Sequence, residues 1–194
     1  MPRRGNPFVA NQTTIYFAPQ GLPLTDVQLC VIFEDTFIIM SNTFTQLYIH
    51  CVFAVKYRRA VIQPSWEERV HRYITGIVQN NGHKMLAINS MHDHLHLFFG
   101  LNPKQSISDI MRLVKGDSSE FINKEKFTER KFQWQDGYGA FSNSRSQIDG
   151  VVKYIMAQKR HHTQKTFRQE YLDMLIANAV KYDEKYIFQD LLDG

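Results

Sequence analysis

Two pairs of residues in this chain are of types that could do chemistry together. The first is His94-Leu95-His96, inside the segment MHDHLHLFFG. On a strand, residues i and i+2 project to one face, so the two imidazoles converge while Leu95 faces the other way. Paired imidazoles form half of a divalent-metal site, although on its own such a triplet is more often incidental. The second pair is Tyr154 and Gln158, four residues apart in YIMAQ and therefore neighbours on one face of a helix. A helical tyrosine is usually packing, and a glutamine four residues on is usually solvated. Joined, the two pairs are more specific than either. Two imidazoles and an amide oxygen would hold a metal and leave positions for phosphate oxygens, with the Tyr154 hydroxyl beside them. Phosphodiester cleavage needs a nucleophile, a Lewis acid and a positioned backbone. A phenol of pKa near 10 also needs neighbouring positive charge to ionise at neutral pH.

Residues around these pairs have two readings each. Asp93 could orient a histidine from behind or serve the turn before it. His161 and His162 could meet phosphate or complement a helix end. Lys153 and Lys159 flank the tyrosine. Arg58, Arg59, Arg69, Arg72, Arg112 and Lys115 are candidate DNA contacts, each also explicable as solvated surface. Trp134, Tyr138 and Phe141 could stack unpaired bases, with core packing the better reading for at least two of them.

The elements that must position these residues follow from periodicity. Thr43–Lys56 is rich in aromatic and branched residues and reads as a strand. Ser65–Asn80 reads as a helix with Ser65 as cap and Val70, Ile74 and Val78 inward, stopped by Asn81-Gly82. Lys84–Ser90 and His94–Leu101 read as strands joined by a tight turn. Ser106 introduces a second helix with Ile107, Ile110, Met111, Val114 and Phe121 inward. A strand ends near Ser142, a third helix starts at Ser144 or Ser146 and runs to about His162, and a last helix covers Phe167–Tyr182. This order predicts an α+β, ferredoxin-like (RRM-like) antiparallel sheet with helices packed on one face.

The 194 residues suffice for one ordinary domain. Apolar residues at 43% and charged residues at 22% fit a globular protein, and no apolar run nears the roughly 18–20 residues that span a bilayer. The opening segment is a poor secretory signal. Cys30 and Cys51 fit a reducing cytoplasm, with a bridge between them allowed but not required. Net charge is +4, of which residues 1–39 carry −1 and the rest +5. That balance permits a polyanionic partner without demonstrating one. Residues 1–39 hold four of the six prolines, and two readings stand: an extension upstream of a functional start at Met40, or a genuine N-terminal arm.

Several of these segments occur in an order that resembles the single-tyrosine transposases of the smallest bacterial insertion sequences and their REP-associated relatives. The segments are MSNTFTQLYIHCVFAVKYRR, HDHLHLFF, WQDGYGAFSNSRSQIDGVVKYIMAQKRHH and FRQEYLDML. The resemblance runs from about Met40 to Asp190, making 40–194 one domain of the histidine-hydrophobe-histidine (HUH) nuclease fold. It implies that Tyr154 is the nucleophile and that His94, His96 and Gln158 ligate the metal. It further implies a 5′-phosphotyrosine link to single-stranded DNA at hairpin-bearing element ends, and a homodimer in which one subunit's tyrosine helix can complete the other's site. Magnesium is the implied metal, with manganese a substitute, and a glutamine ligand fits zinc poorly. No nucleotide cofactor is expected, since no glycine-lysine phosphate loop is present. A domesticated repeat-processing relative and a non-catalytic single-stranded nucleic-acid-binding module remain the alternatives.

Overall fold

A computed structural model describes residues 44–161 and 166–183, together with Lys185 and Ile187. Residues 1–39, Met40, Cys30 and His162 lie outside the described residues. Four strands form one antiparallel sheet: β1 (Tyr48–Ala54), β2 (Lys84–Ser90), β3 (His94–Gly100) and β4 (Gly139–Asn143), in the order β2-β3-β1-β4. Register sets which residues share a face. Ala54, Val52 and His50 of β1 lie opposite His94, His96 and Phe98 of β3, while Phe53, Cys51 and Ile49 lie opposite Leu95, Leu97 and Phe99.

The second set faces the larger core. Helix α1 (Pro64–Asn80) contributes Trp66, Val70, Ile74 and Val78, and α2 (Ile107–Lys124) contributes Ile110, Met111, Val114 and Ile122. Each fully buried residue of this kind stabilises the fold by roughly 1.5–3 kcal/mol. Ser106 caps α2 as its sequence position predicts, its hydroxyl accepting from the Asp109 amide at 3.1 Å. Ser65 does not cap α1. Pro64 occupies the first turn, where its fixed φ suits the helix, and Gln63 precedes it without a side-chain cap.

The other face carries the histidines, and it too is covered. Helix α3 (Ile148–Met156) packs Ile148 and Ile155 on Ala87 and Phe98. Helix α5 (Phe167–Ala177) packs Phe167 and Leu175 on Val52, Ala54 and Phe141. The α+β antiparallel sheet is as expected. The expectation of helices on one face holds for α1 and α2 only, because α3 and α5 have apolar stripes of their own to bury. The predicted third helix is also interrupted. Ser144 caps a single 3-10 turn (Arg145–Gln147) that leads into α3. The chain then leaves helical geometry at Ala157 (φ −89°, ψ 6°) before the short α4 (Gln158–His161). Helix α5 stops earlier than predicted, at Ala177, because Ala179 adopts a left-handed φ of 51° and Val180 N–H returns to the Leu175 carbonyl. No described helix is long and apolar enough to cross a membrane.

Candidate active site

Strand β3 is paired on both sides, so His94 and His96 stand on the stiffest part of the sheet, and both are fully buried. Their Nδ1 atoms are engaged from behind. His94 Nδ1 lies 2.7 Å from Asp93 Oδ1, and His96 Nδ1 lies 3.1 Å from His50 Nε2. A carboxylate accepts, so His94 carries its proton on Nδ1 and presents Nε2 as a lone pair. Burial holds the His50 imidazole down at about 4, against the charge of Glu170, so it is neutral at ordinary pH. Of the two readings of Asp93, the structure thus contains the orienting contact, and the turn is present as well, with Met91 N–H on the His94 carbonyl.

The Nε2 atoms of the pair converge on a residue that the sequence reading did not single out, Glu170 of α5. Its carboxylate oxygens lie 3.8 Å from His94 Nε2 and 3.7 Å from His96 Nε2. Two features let α5 come so close. Phe167, one turn earlier, stacks on the His94 ring with centroids 3.8 Å apart. Gly139 of β4 lies under Tyr171, and a Cβ at Gly139 would sit 2.9 Å from the Tyr171 ring.

Tyr154 and Gln158 arrive at the same carboxylate. The Tyr154 hydroxyl donates a short hydrogen bond to Glu170 Oε1, and Gln158 Nε2 donates to the same oxygen at 2.8 Å. Gln158 is fully buried, and its Oε1 has no hydrogen-bond partner among the described residues. The tyrosine phenol is pushed well above its ordinary value, first by burial and then by the hydrogen bond and charge of Glu170, with Gln158 opposing. The helix break beside these residues is held by Asn89 of β2. This residue is paired with His96, and its Nδ2 donates to the Ile155 carbonyl at 2.7 Å. Tyr154, Gln158 and the histidines therefore meet within one chain.

The donor chemistry suits a divalent cation. His94, His96 and Glu170 each offer a ligand atom, and these lie within 4.8 Å of one another. That span fits an ion with ligands at about 2.0–2.2 Å. The orphaned Gln158 oxygen is a fourth oxygen donor close by. With a carboxylate present the donor set equally suits zinc, so the argument that disfavoured zinc loses its basis.

The candidate DNA contacts fall in different places. Lys153 is exposed on α3, and Lys159 is ion-paired with Glu67 at 3.4 Å. Arg59 is exposed beyond the end of β1. Arg58 lies in the 3-10 turn Lys56–Arg58, and its side chain, like that of His161, is outside the description. Arg112 and Lys115 belong to α2, on the opposite face of the sheet from the histidines. Lys115 is part-buried, donating to the Gln135 and Gly137 carbonyls. Arg69 and Arg72 pair with Glu125 and Glu68. Trp134 and Phe141 are core residues, and Tyr138 packs on the core.

The class of protein to which this fold and site belong is shown by the sequence comparisons. Residues 43–158 match the family described as Transposase IS200 like, and the chain belongs to that family. The ISDra2 transposase TnpA of Deinococcus radiodurans is 27% identical over 118 residues, covering 58% of this chain and 84% of that protein. The transposase of insertion sequence element IS200 from Salmonella typhimurium is 30% identical over 97 residues, 50% of this chain and 63% of its own length. Two solved structures share the fold. A candidate transposase of Deinococcus radiodurans has a TM-score of 0.52 at 22% identity, covering 63% of this chain and 98% of that one. A REP-associated tyrosine transposase bound to a REP hairpin has a TM-score of 0.50 at 13% identity, covering 81% and 95%. The family match ends at Gln158, so Glu170 lies beyond it.

Proposed function

We propose that this transposase cuts and rejoins single-stranded DNA through Tyr154, at a divalent-cation site formed by His94, His96 and Glu170 with Gln158 beside them. The observation that carries this reading is the shared carboxylate oxygen. Glu170 Oε1 accepts from both the Tyr154 hydroxyl and Gln158 Nε2 and lies 3.7 Å from His96 Nε2. Nucleophile and ligand set are thus joined through one group.

In the reaction, the Tyr154 oxygen attacks the phosphorus, forming a 5′-phosphotyrosine, and the bond to the 3′-oxygen breaks. The phenolic proton is lost to water as Glu170 is taken up by the cation, and one proton from water completes the released 3′-hydroxyl. Reversal by another 3′-hydroxyl rejoins strands and restores the phenol, so no nucleotide is consumed. A divalent cation held by His94, His96 and Glu170 would supply positive charge that opposes the effect of burial and of Glu170 on the phenol. Magnesium or manganese is the ion we propose, with zinc the competitor to test. Asp93 and His50 hold the two imidazoles with their Nε2 atoms forward.

We also propose that residues 40–194 are the functional domain, that it acts as a homodimer, and that its substrate is hairpin-bearing DNA at element ends. The hairpin carried by the REP-associated neighbour supports the last point.

The test is covalent trapping. Wild-type protein and Tyr154→Phe are incubated with labelled single strands from the flanks of the gene, with manganese, magnesium or zinc, and resolved on denaturing gels. A metal-dependent adduct absent from the variant is expected. Strands that are bound but never linked, under any of the three metals, would overturn the catalytic reading in favour of a binding module.

A further inference from the structure

Beyond the end of β1 the chain makes the 3-10 turn at Lys56–Arg58 and runs past Arg59 to Gln63, facing the segment Phe127–Gln133 across a cavity of about 440 Å³. That volume falls in the range of small-ligand sites, about 300–1,000 Å³. Both walls are built. Lys56 N–H donates to the Gln133 carbonyl, and Asn123 holds Phe132 through its amide at 2.7 Å and its carbonyl at 2.9 Å. Phe127 stacks on Trp66. The cavity adjoins the catalytic turn, because Val55 N–H donates to the Asp93 carbonyl and Ile62 N–H to that of His92.

The lining is cationic and aromatic. Lys56, Arg59, Arg130 and Lys131 oppose the single carboxylate Glu129. Tyr57 adopts a left-handed φ of 58°, a conformation that costs a non-glycine residue free energy. Its ring joins none of the three apolar clusters and has instead the Lys56 ammonium at 5.6 Å and the Arg59 guanidinium at 5.8 Å. Core packing therefore does not account for its placement. Aromatic rings among cations, in a cavity too small for a duplex, are the elements that bind unpaired nucleotides.

We propose that this cavity is a second DNA contact, which seats an unpaired nucleotide of the strand outside the catalytic position, with Tyr57 stacking on the base and Arg59, Arg130 and Lys131 meeting phosphates. The inference rests on the single-strand reading above and extends it to a stretch of strand beside the His92–Asp93 turn.

Fluorescence anisotropy with the full chain tests it, using a labelled mixed-sequence single strand and its duplex across a salt series. Tyr57→Gly removes the ring while relaxing the backbone, and Tyr57→Asn, also tolerant of a left-handed φ, is the second variant. Thermal melts confirm that each is folded. Both should bind the single strand about tenfold more weakly, the scale of one lost base stack, with the duplex little changed. Arg130→Ala with Lys131→Ala should lower the salt slope for the single strand by about 1.4, at 0.7 per phosphate. Wild-type binding by folded variants, or equal losses on duplex and single strand, would overturn the proposal. Adduct formation by Tyr154 reports separately. Adducts with binding unmoved in the variants refute the cavity alone, whereas binding lost in the variants without any wild-type adduct supports the cavity and refutes the catalytic reading.

Discussion

Removing the Asn89 side chain should loosen the tyrosine helix from the metal-ligand strand, and the size of the effect can be worked out. Asn89 is 1% exposed, stands in register with His96, and donates to the Ile155 carbonyl at 2.7 Å beside the break at Ala157. Asn89→Ala strands that carbonyl in a buried place, which costs about 1–3 kcal/mol. For a protein of this size 1 kcal/mol lowers the melting temperature by about 2–4 °C, so a drop of roughly 2–12 °C is expected. Asn89→Asp is the sharper control. It keeps the shape but sets an acceptor, charged when ionised, against the carbonyl, so it should be worse than alanine. The chemistry should suffer beyond the stability. Tyr154 and Gln158 flank the held carbonyl, and displacement of a nucleophile by about 1 Å can cost on the order of 100-fold in rate. The assays are thermal unfolding and the rate of adduct formation at saturating single strand, below the variants' melting range. A melting temperature within 1 °C of wild type (about 0.3 kcal/mol) for both variants would refute the energetic argument. A normal adduct rate in a destabilised variant would refute the positioning role.

Three further outcomes follow from the same geometry. Manganese at about 100 times its dissociation constant should stabilise the wild type by about 2.7 kcal/mol. Glu170→Gln should lose most of that shift and His94→Ala all of it, and a full shift in Glu170→Gln would remove Glu170 from the ligand set. Gly139→Val should push Tyr171 and α5 away from the sheet, destabilising by about 1–3 kcal/mol and weakening the manganese shift through Glu170. An unchanged melt and shift would show that α5 needs no such approach. Burial holds the His71 imidazole at about 4, with Glu67 raising it and Lys159 lowering it. Its neutral form shares a hydrogen bond with Ser90 Oγ at 2.9 Å. The unfolded chain therefore takes up a proton near pH 6.5 that the folded chain refuses, and stability should fall as pH drops from about 6.5 towards 4. His71→Gln should flatten that acid limb by on the order of 2–3 kcal/mol, and an identical limb in the variant would refute the assignment.

Much of this arrangement was legible in the chain itself, and the omissions have physical causes. His94 and His96 could be assigned to one face because strand parity is local, and β3 runs from His94 as read. The two long helices announced themselves by Val70, Ile74 and Val78 and by Ile110, Met111 and Val114. Glu170 did not, because an acidic residue in the first turn of a helix has a sufficient local explanation in the helix dipole. Only the packing of α5 on Val52, Ala54 and Phe141 turns it toward the histidines. The spacing of Phe167 and Glu170, one turn apart, was the available signal. His50 was invisible for another reason: its contact with His96 depends on the register of β1 against β3, which no single strand encodes. The break at Ala157 carries neither glycine nor proline, so nothing in MAQKR marks it. Arg112 and Lys115 are candidate DNA contacts by charge alone, and a sequence does not say which face of the sheet their helix covers.

The way the site is divided between strand and helix bears on how it works. The two imidazoles are fixed by a strand with neighbours on both sides and by Asp93 and His50 behind them. Tyr154 and the oxygen donors come from helices, and what joins Tyr154, Gln158 and α5 at the centre is the carboxylate of Glu170. Burial first, and then the hydrogen bond and charge of that carboxylate, hold the phenol protonated in this arrangement. The same negative charge is an attraction for a cation beside the two imidazoles. Cation binding and release of the phenolic proton therefore draw on one group, and each favours the other by linkage. On the proposed reading, the phenol would stay protonated until a cation took up Glu170.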